Sequence, residues 1–338
     1  MGQRFPLVWV HLGQSKVPFY LKRSMRNHAQ IFSDQRLVLL VDDDKNLHNF
    51  GIRNLLVYKV HFMDEDWEII KRRLSHDLTF RNEFWFNSLA RFKALSSYLI
   101  EEKIDKLLHI ESDVVLMPNF PFSSFEKIQN SLAYSLQGEG KGIASVFFVG
   151  SQACLADFLN FCFREILQDS KNTDMTLLDN FHKKNPSKTL ILPTLPKQTF
   201  FEGSLNDSKI ELSDTVTEFG GVFDAISIGQ YFFGIDPRNH RGIKKLYIED
   251  ASHWVKPSQF SFEWSENALI AQQKNLKLEI FTLHIHSKNP QIFEFNSLRN
   301  QLTKSITQSQ RGPYQQIVVQ EVVRSFQKAI RRRLKFKP

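Results

Sequence analysis

Short apolar runs alternate with longer polar or amphipathic stretches, and this alternation constrains the fold more than any other feature. The runs are PLVWVHLG (6–13), RLVLLVDDD (36–44), LLVYKV (55–60), LLHI (107–110) and KTLILP (188–193). Uninterrupted apolar runs are typical of strands buried on both faces, and helical stretches between them connect parallel strands. The sequence therefore predicts an α/β fold with a mostly parallel central sheet flanked by helices. Ligands of such sheets bind at the carboxyl ends of the strands.

The 338 residues, 42% of them hydrophobic, are enough for one large domain, and no repeat or Gly/Ser/Pro-rich linker divides the chain. We expect a domain over 1–300 and a C-terminal helical appendage over 301–338. The chain lacks both a long apolar span and a secretory signal, which predicts a cytoplasmic protein. Cys154 and Cys162 lie too far apart along a helix to form a disulfide, so we interpret them as core thiols in a reducing compartment.

The positive charge is concentrated at the C-terminus. From Arg311 onward eight basic residues accompany one acid, Glu321, so this segment carries seven of the eight net positive charges. Its apolar residues follow one helical stripe, which indicates either an amphipathic helix on an anionic membrane or a packing helix with a disordered basic end. Without a basic surface in the body of the protein, a nucleic acid partner is not expected.

Glu111 and Asp113 follow the apolar run LLHI directly, separated by one serine. Carboxylates at the end of a buried strand are costly unless something neutralises them. Two residues apart on an extended chain, they lie on the same side and could bind one hard cation, with Ser112 turned away. A divalent cation is most useful there when the substrate carries a diphosphate. The alternative is an ordinary turn at the end of a strand.

The segment LLHIESDVVL resembles the DxD region of glycosyltransferases with the GT-A fold, with Glu111 in place of the first Asp. The resemblance follows the order of elements over roughly 5–290 and implies a Rossmann-like GT-A domain. It also implies a divalent metal held by Glu111 and Asp113, and a nucleotide-sugar donor such as a UDP- or GDP-sugar. The acceptor would be a saccharide or a lipid-linked glycan, the latter consistent with a peripheral membrane location.

Three further segments extend the resemblance towards the donor. Arg91 in SLARFKAL lies on the helix before the acidic pair, where the family has a donor-facing residue; the alternative is a solvated helix arginine. GIASVFFVGS resembles the strand whose small residues, here including Ser145, pack beneath the donor sugar. TDMTLLDNF resembles the DQ-x-x-LN element of the glycogenin-like branch, with Asp174 in the acidic position and Met175 in place of Gln.

The late segment LHIHSKN places His284 and His286 on one face of a predicted strand, with Lys288 two residues on. The resemblance implies that one of these histidines is the third metal ligand and that Lys288 neutralises the diphosphate. An imidazole ligand favours Mn²⁺ over Mg²⁺. The alternative is one structural and one exposed histidine.

The stretch FGGVFDAISIGQYFFGIDPRNHRG (219–242) predicts a loop, a short helix and a second loop. We expect Asp224 to be the general base of an inverting transferase, a sugar contact, or the N-cap of the helix. Near the N-terminus, the exit of the first strand (8–13) and the acids Asp42, Asp43 and Asp44 are candidates for holding the base and ribose. A solvated turn is the alternative for these acids.

Other functions remain open from the sequence. A sugar-phosphate nucleotidyltransferase has a similar sheet, but it needs a glycine-rich loop after the first strand, where VHLGQSKVPF has a single glycine. A metal-dependent phosphohydrolase would also use an acidic pair. A non-catalytic scaffold that docks on membranes through the tail is the third alternative.

Overall fold

The computed structural model describes residues 5–13, 16–74, 83–195, 197–198, 210–211, 215–235 and 255–307. The predicted alternation of strands and helices is present in them. The strands are β1 (Leu7–His11), β2 (Leu37–Val41), β3 (Leu55–Lys59), β4 (Leu107–Ile110), β5 (Val114–Leu116), β6 (Leu132–Gly138), β7 (Lys141–Val149), β8 (Thr189–Ile191), β9 (Lys197–Gln198), β10 (Ile210–Glu211), β11 (Gly221–Val222), β12 (Ser261–Ser265), β13 (Ala268–Gln273), β14 (Leu276–Ile280) and β15 (Thr282–His284). The α-helices are α1 (Phe19–Ile31), α2 (Glu65–Arg73), α3 (Phe84–Glu102), α4 (Phe122–Glu126), α5 (Gln152–Gln168), α6 (Asp174–Lys184), α7 (Val216–Phe219), α8 (Ser227–Phe233) and α9 (Phe295–Thr307).

The central sheet has seven strands in the order β3-β2-β1-β4-β7-β6-β8. Strands β3, β2, β1 and β4 are parallel, whereas β7 runs antiparallel to both of its neighbours. The predicted mostly parallel sheet flanked by helices is confirmed. The antiparallel pairing of β7 with β6 follows from a tight hairpin, in which Gly140 has a φ of +67° that favours glycine.

Each face of the sheet is covered by helices, because alternate residues of the buried strands point to opposite sides. Val8, Val38 and Leu40 pack with α3 and α5 on one face. Leu7 and Leu39 pack with α1 on the other. The two cysteines of α5 are buried free thiols, as predicted.

A second layer of strands packs beyond β4. A four-stranded sheet has the order β11-β14-β13-β12, and a separate pair joins β15 to β5 in antiparallel register, with His284 opposite Val114. The sequence predicts a strand that carries both His284 and His286, but β15 ends at His284 and follows β14 after one residue. This second layer has its own apolar core with α8 and α9. It brings the C-terminal part of the described chain against the end of β4.

The C-terminal helix α9 ends the described part of the chain. The predicted boundary between residues 300 and 301 falls within this helix, and the remaining tail, 308–338, lies outside the described residues. The division into a domain and an appendage therefore stays a prediction. Among the described helices, none combines the length and the apolar character that crossing a membrane requires.

Two buried histidines on either side of β1 are held neutral. His28 Nδ1 donates to the carbonyl of Ser24 at 2.7 Å, and its Nε2 accepts the N–H of Leu116 at 3.1 Å. Burial lowers the pKa of His28 to about 4, against the smaller opposing effect of the Ser24 hydrogen bond. Burial, followed by the charge of Arg91, lowers the pKa of His109 to about 3.

We predict that stability falls as the pH is lowered from 6.5 to 5. The folded state binds these protons less readily than the unfolded chain, so protonation favours unfolding, by about 1.4 kcal/mol per pH unit for each buried histidine. Urea unfolding at several pH values measures the slope. In a His28→Gln variant the slope of the unfolding free energy against pH should decrease by the contribution of one histidine. A His61→Gln variant, at an exposed position, should keep the full slope. An unchanged slope in His28→Gln would contradict the prediction.

Candidate metal centre

A tight turn at the end of β4 brings the acidic pair together. The N–H of Val114 donates to the carbonyl of Glu111 at 3.1 Å, and Ser112 and Asp113 form the turn. The sequence predicts an extended chain here, whereas the structure has a turn, and this turn is what brings the two carboxylates together. The turn is anchored to β7, where the carbonyl of Ser145 accepts the N–H of Glu111 at 3.1 Å.

Pairing between β5 and β15 brings His284 to this turn. The N–H of Ile285 donates to the carbonyl of Asp113 at 2.6 Å, directly after His284. The imidazole Nε2 lies 3.3 Å from Glu111 Oε2 and 3.3 Å from Asp113 Oδ1. Ligand atoms of these three residues all lie within 4.8 Å of one another. The arrangement has the size and the donor atoms of a cation site.

Hydrogen bonding fixes the orientation of the His284 ring. Its Nδ1 lies 2.7 Å from the carbonyl oxygen of Ala225, which can only accept, so Nδ1 carries a proton. In the neutral ring, Nε2 then has its lone pair and faces the two carboxylates. Two carboxylates and one imidazole suit Mn²⁺ and, through the oxygens, Mg²⁺. The residues present therefore fit a divalent cation.

Without a cation the same cluster holds a proton. Burial acts to lower the pKa of His284, but the charges of Asp113 and Glu111 outweigh it and raise this pKa to about 9. Burial acts to raise the pKa of Asp113, but the His284 imidazolium and then Lys288 hold it well below its ordinary range. The charges of Glu111 and Asp113 are thus compensated by the proton on His284 and by the Lys288 ammonium. A bound dication would take over this role.

His286 and Lys288 lie beside the cluster. The His286 ring packs on the His284 ring, with the ring centroids 4.0 Å apart. Among the described residues, the group of three possible metal ligands does not include His286. The Lys288 Nζ lies 3.4 Å from Asp113 Oδ2 and 5.8 Å from the centre of the Tyr20 ring. The predicted positive charge is therefore present at this position.

Arg91 joins two carboxylates from different parts of the chain. Its Nη1 donates to Glu111 in a short hydrogen bond, and its Nη2 donates to Asp174 Oδ2 at 2.6 Å, at the start of α6. The arginine side chain is only 11% exposed, so the solvated alternative is wrong. Burial raises the pKa of Asp174, whereas at Glu111 the charges of Arg91 and His284 outweigh burial and lower it.

The net charge of the centre depends on what compensates the acids. Glu111, Asp113 and Asp174, when ionised, oppose Arg91 and Lys288, which leaves one negative charge if the imidazole is neutral. A dication converts this to one positive charge. The complete centre would then attract an anion such as a diphosphate.

Asp224 and Ser145 lie behind the cluster and face the interior. Asp224 is 1% exposed, and both of its carboxylate oxygens accept backbone N–H groups. Because these bonds occupy the carboxylate, Asp224 caps the first turn of α8, although Ile226 stands at the N-cap position, and its geometry is not that of a base facing an acceptor. Ser145 is fully buried and donates to the carbonyl of Asp224 at 3.3 Å. Its contact with a bound sugar stays a prediction.

The three acids after β2 all have partners within the fold. Both Asp42 carboxylate oxygens lie 3.0 Å from the N–H of Gly13, which ties the exits of β1 and β2 together. Asp43 caps the 3₁₀ turn at Asp44–Asn46, and Asp44 pairs with Lys59 at 2.6 Å. These contacts favour a structural turn for the acids. The predicted DPRN loop at 236–239 lies outside the described residues.

Two contributors to the site were missed by sequence reasoning. The carbonyl of Ala225 orients the His284 ring, and no sequence signal could have indicated a backbone acceptor. Gly229 packs against the backbone of His284, where an added Cβ would lie 2.0 Å from the carbonyl oxygen. A glycine inside a predicted helix is the signal that could have indicated this close approach.

Comparison with known proteins adds little to this geometry. No protein-family model and no curated protein sequence matches the chain. Among solved structures, one that is similar is titled "PaToxG Glycosyltransferase", with a TM-score of 0.37 and 10% sequence identity, over 54% of this chain and 70% of that one.

We predict that Arg91 is essential to stability. In an Arg91→Met variant the buried carboxylates of Glu111 and Asp174 lose their shared counterion, and removing one partner of such a group costs about 3 to 5 kcal/mol. Urea unfolding measures the loss. The control is Arg36→Met, which breaks an exposed ion pair with Glu102 and should cost less than about 1 kcal/mol. Equal losses in the two variants would contradict the prediction.

We also predict that cation binding releases a proton. Because the pKa of His284 is raised to about 9, the imidazole is protonated at pH 7 without a cation, and a bound cation displaces that proton. The Mn²⁺ affinity should rise about tenfold per pH unit from pH 6.5 to 8.5, as for loss of one proton. Calorimetry in buffers of different ionisation enthalpy counts the protons. A heat that is independent of the buffer at pH 7 would refute this.

Proposed function

We propose that this chain is a glycosyltransferase that moves a sugar from a nucleoside-diphosphate sugar, such as a UDP- or GDP-sugar, to a saccharide or lipid-linked glycan acceptor. The observation that carries the proposal is the convergence of Glu111, Asp113 and His284 at the carboxyl end of β4. The cluster lies at the carboxyl end of β4, beside β1, where the strand order 3-2-1-4 reverses, and ligands of such sheets bind at that switch point.

The donor set supports the choice of Mn²⁺, with Mg²⁺ as the second choice, because an imidazole is a better ligand for Mn²⁺. Glu111, Asp113 and His284 would hold the cation. When bound, it supplies Lewis-acid stabilisation of the charge that develops on the leaving nucleoside diphosphate. The position of the three residues at the carboxyl ends of the strands, where ligands of such sheets bind, supports this assignment.

Lys288 supports the same chemistry from the other side of the cluster. In the metal-free arrangement its ammonium compensates Asp113. Once a cation compensates the acids, the ammonium can turn to a diphosphate and stabilise the leaving group. Arg91 keeps Glu111 ionised and oriented, and the same guanidinium binds Asp174, which we propose contacts the donor.

The proposal does not include Asp224 as a general base, because three backbone N–H groups already bind its carboxylate. The basic C-terminal tail remains part of the proposed function. We infer from its sequence that the tail binds an anionic membrane at the cytoplasmic face, close to a lipid-linked acceptor.

Nucleotide-dependent stabilisation tests the proposal. UDP or GDP should raise the melting temperature only when Mn²⁺ is present, and a panel of nucleotide sugars should show Mn²⁺-dependent hydrolysis of one donor. Release of phosphate from simple esters would indicate a phosphohydrolase instead. No response to any nucleotide with Mn²⁺ would contradict the proposal and favour a scaffold.

We predict that Asp113→Asn and Glu111→Gln abolish turnover of that donor while the fold remains. The loss should reach at least the roughly 100-fold that removal of an outer partner of a metal site can cost. The control is Asp157→Asn, which removes a carboxylate from an exposed pair with Lys188 and should leave turnover unchanged. Full activity in either site variant would remove the metal centre from the mechanism.

A further inference from the structure

A single buried carboxylate connects two distant parts of the chain behind the metal centre. Asp224 Oδ1 accepts the N–H of Ile228 at 2.9 Å, and Oδ2 accepts the N–H groups of Gly229 at 2.6 Å and of His284 at 3.0 Å. The first two bonds cap α8. The third reaches a residue 60 positions away, which capping does not require.

The segment around Asp224 holds His284 at two further points. The carbonyl of Ala225 accepts from the ring at Nδ1, 2.7 Å away. The absence of a side chain at Gly229 lets α8 lie directly on the His284 backbone, where a Cβ would approach the carbonyl oxygen to 2.0 Å. Backbone, ring and carbonyl of the histidine are therefore all fixed by residues 224–229.

We propose that Asp224 is a positioning residue for the metal centre, which acts by holding His284 with its Nε2 towards Glu111 and Asp113. This inference rests on the cation site of the proposed function. A carboxylate suits this role because it only accepts hydrogen bonds and can bind three donors at once. Partners of this kind typically alter metal affinity 10- to 100-fold.

The anchoring of Asp224 itself supports the role. Its own N–H donates to Thr282 Oγ1 at 2.9 Å, and its carbonyl accepts from Ser145 Oγ at 3.3 Å. The first of these ties it to β15, two residues before His284, and the second to β7 of the central sheet. Asp224 and His284 thus belong to one hydrogen-bonded unit.

An Asp224→Asn variant tests the inference through Mn²⁺ binding to the full-length protein. Asparagine keeps the shape but replaces one acceptor oxygen by a donor, so at least one of the three N–H groups loses its partner. Electron paramagnetic resonance measures free and bound Mn²⁺, and spin-echo modulation from the imidazole nitrogen reports whether the histidine is a ligand. We expect 10- to 100-fold weaker binding and a reduced nitrogen signal.

The control is Tyr134→Phe, which removes one buried hydrogen bond, to the carbonyl of Leu178 at 2.7 Å, without contact to His284. It should lower stability but leave Mn²⁺ affinity and the nitrogen signal unchanged, when each protein is measured at a temperature where it is fully folded. If Asp224→Asn binds Mn²⁺ as the wild type does, with the same nitrogen signal, the positioning role is overturned and the proposed function stands. If the wild type binds no Mn²⁺, both fail.

If the Asp224→Asn variant does not fold, hydrogen exchange of backbone amides in the wild type tests the same positioning role. On addition of Mn²⁺, we expect the amides of 224–229 to gain protection together with those of 284–285, although 224–229 supplies no ligand. Protection confined to 111–113 and 284–285 would overturn the positioning role.

Discussion

The compensation of two carboxylates at the end of β4, Asp113 buried and Glu111 partly buried, is the interaction on which the rest of the site depends. Removing such groups from water costs several kcal/mol for each charge unless partners replace the solvent. The partners are Arg91 from α3, His284 from β15 and Lys288 from the turn that follows. Because these residues come from different elements, the acids are tolerated only when both layers of the fold have packed together.

This arrangement gives the centre two ways to compensate its acids. A proton on His284 and the ammonium of Lys288 compensate the acids in one, and a dication compensates them in the other. The groups that stabilise the metal-free centre are thus those that a cation competes with or releases. Under the proposed function, this exchange links cation binding to the appearance of positive charge where a diphosphate would bind.

The second layer of strands explains why the histidine can be placed accurately. His284 lies at the end of β15 and is held by backbone groups of 224–229 and by the Asp224 carboxylate, all of them buried. Packed backbone has fewer alternative conformations than a surface side chain, so the ring cannot easily turn away from the carboxylates. The close contact at Gly229 makes the same unit sensitive to any added volume.

The sequence by itself determined the strands of the parallel half-sheet, the helix before β4 and the position of the acidic pair, because apolar periodicity and charge at a strand end are local properties. It also indicated a late histidine pair and a lysine as candidates. Only the tertiary structure decided that His284 and not His286 meets the acids, that Arg91 is buried between Glu111 and Asp174, and that Asp224 faces His284. These outcomes depend on the register of β15 against β5 and on the packing of α8 behind it. Register between strands far apart in sequence is fixed by the whole core, so no local pattern could have specified it.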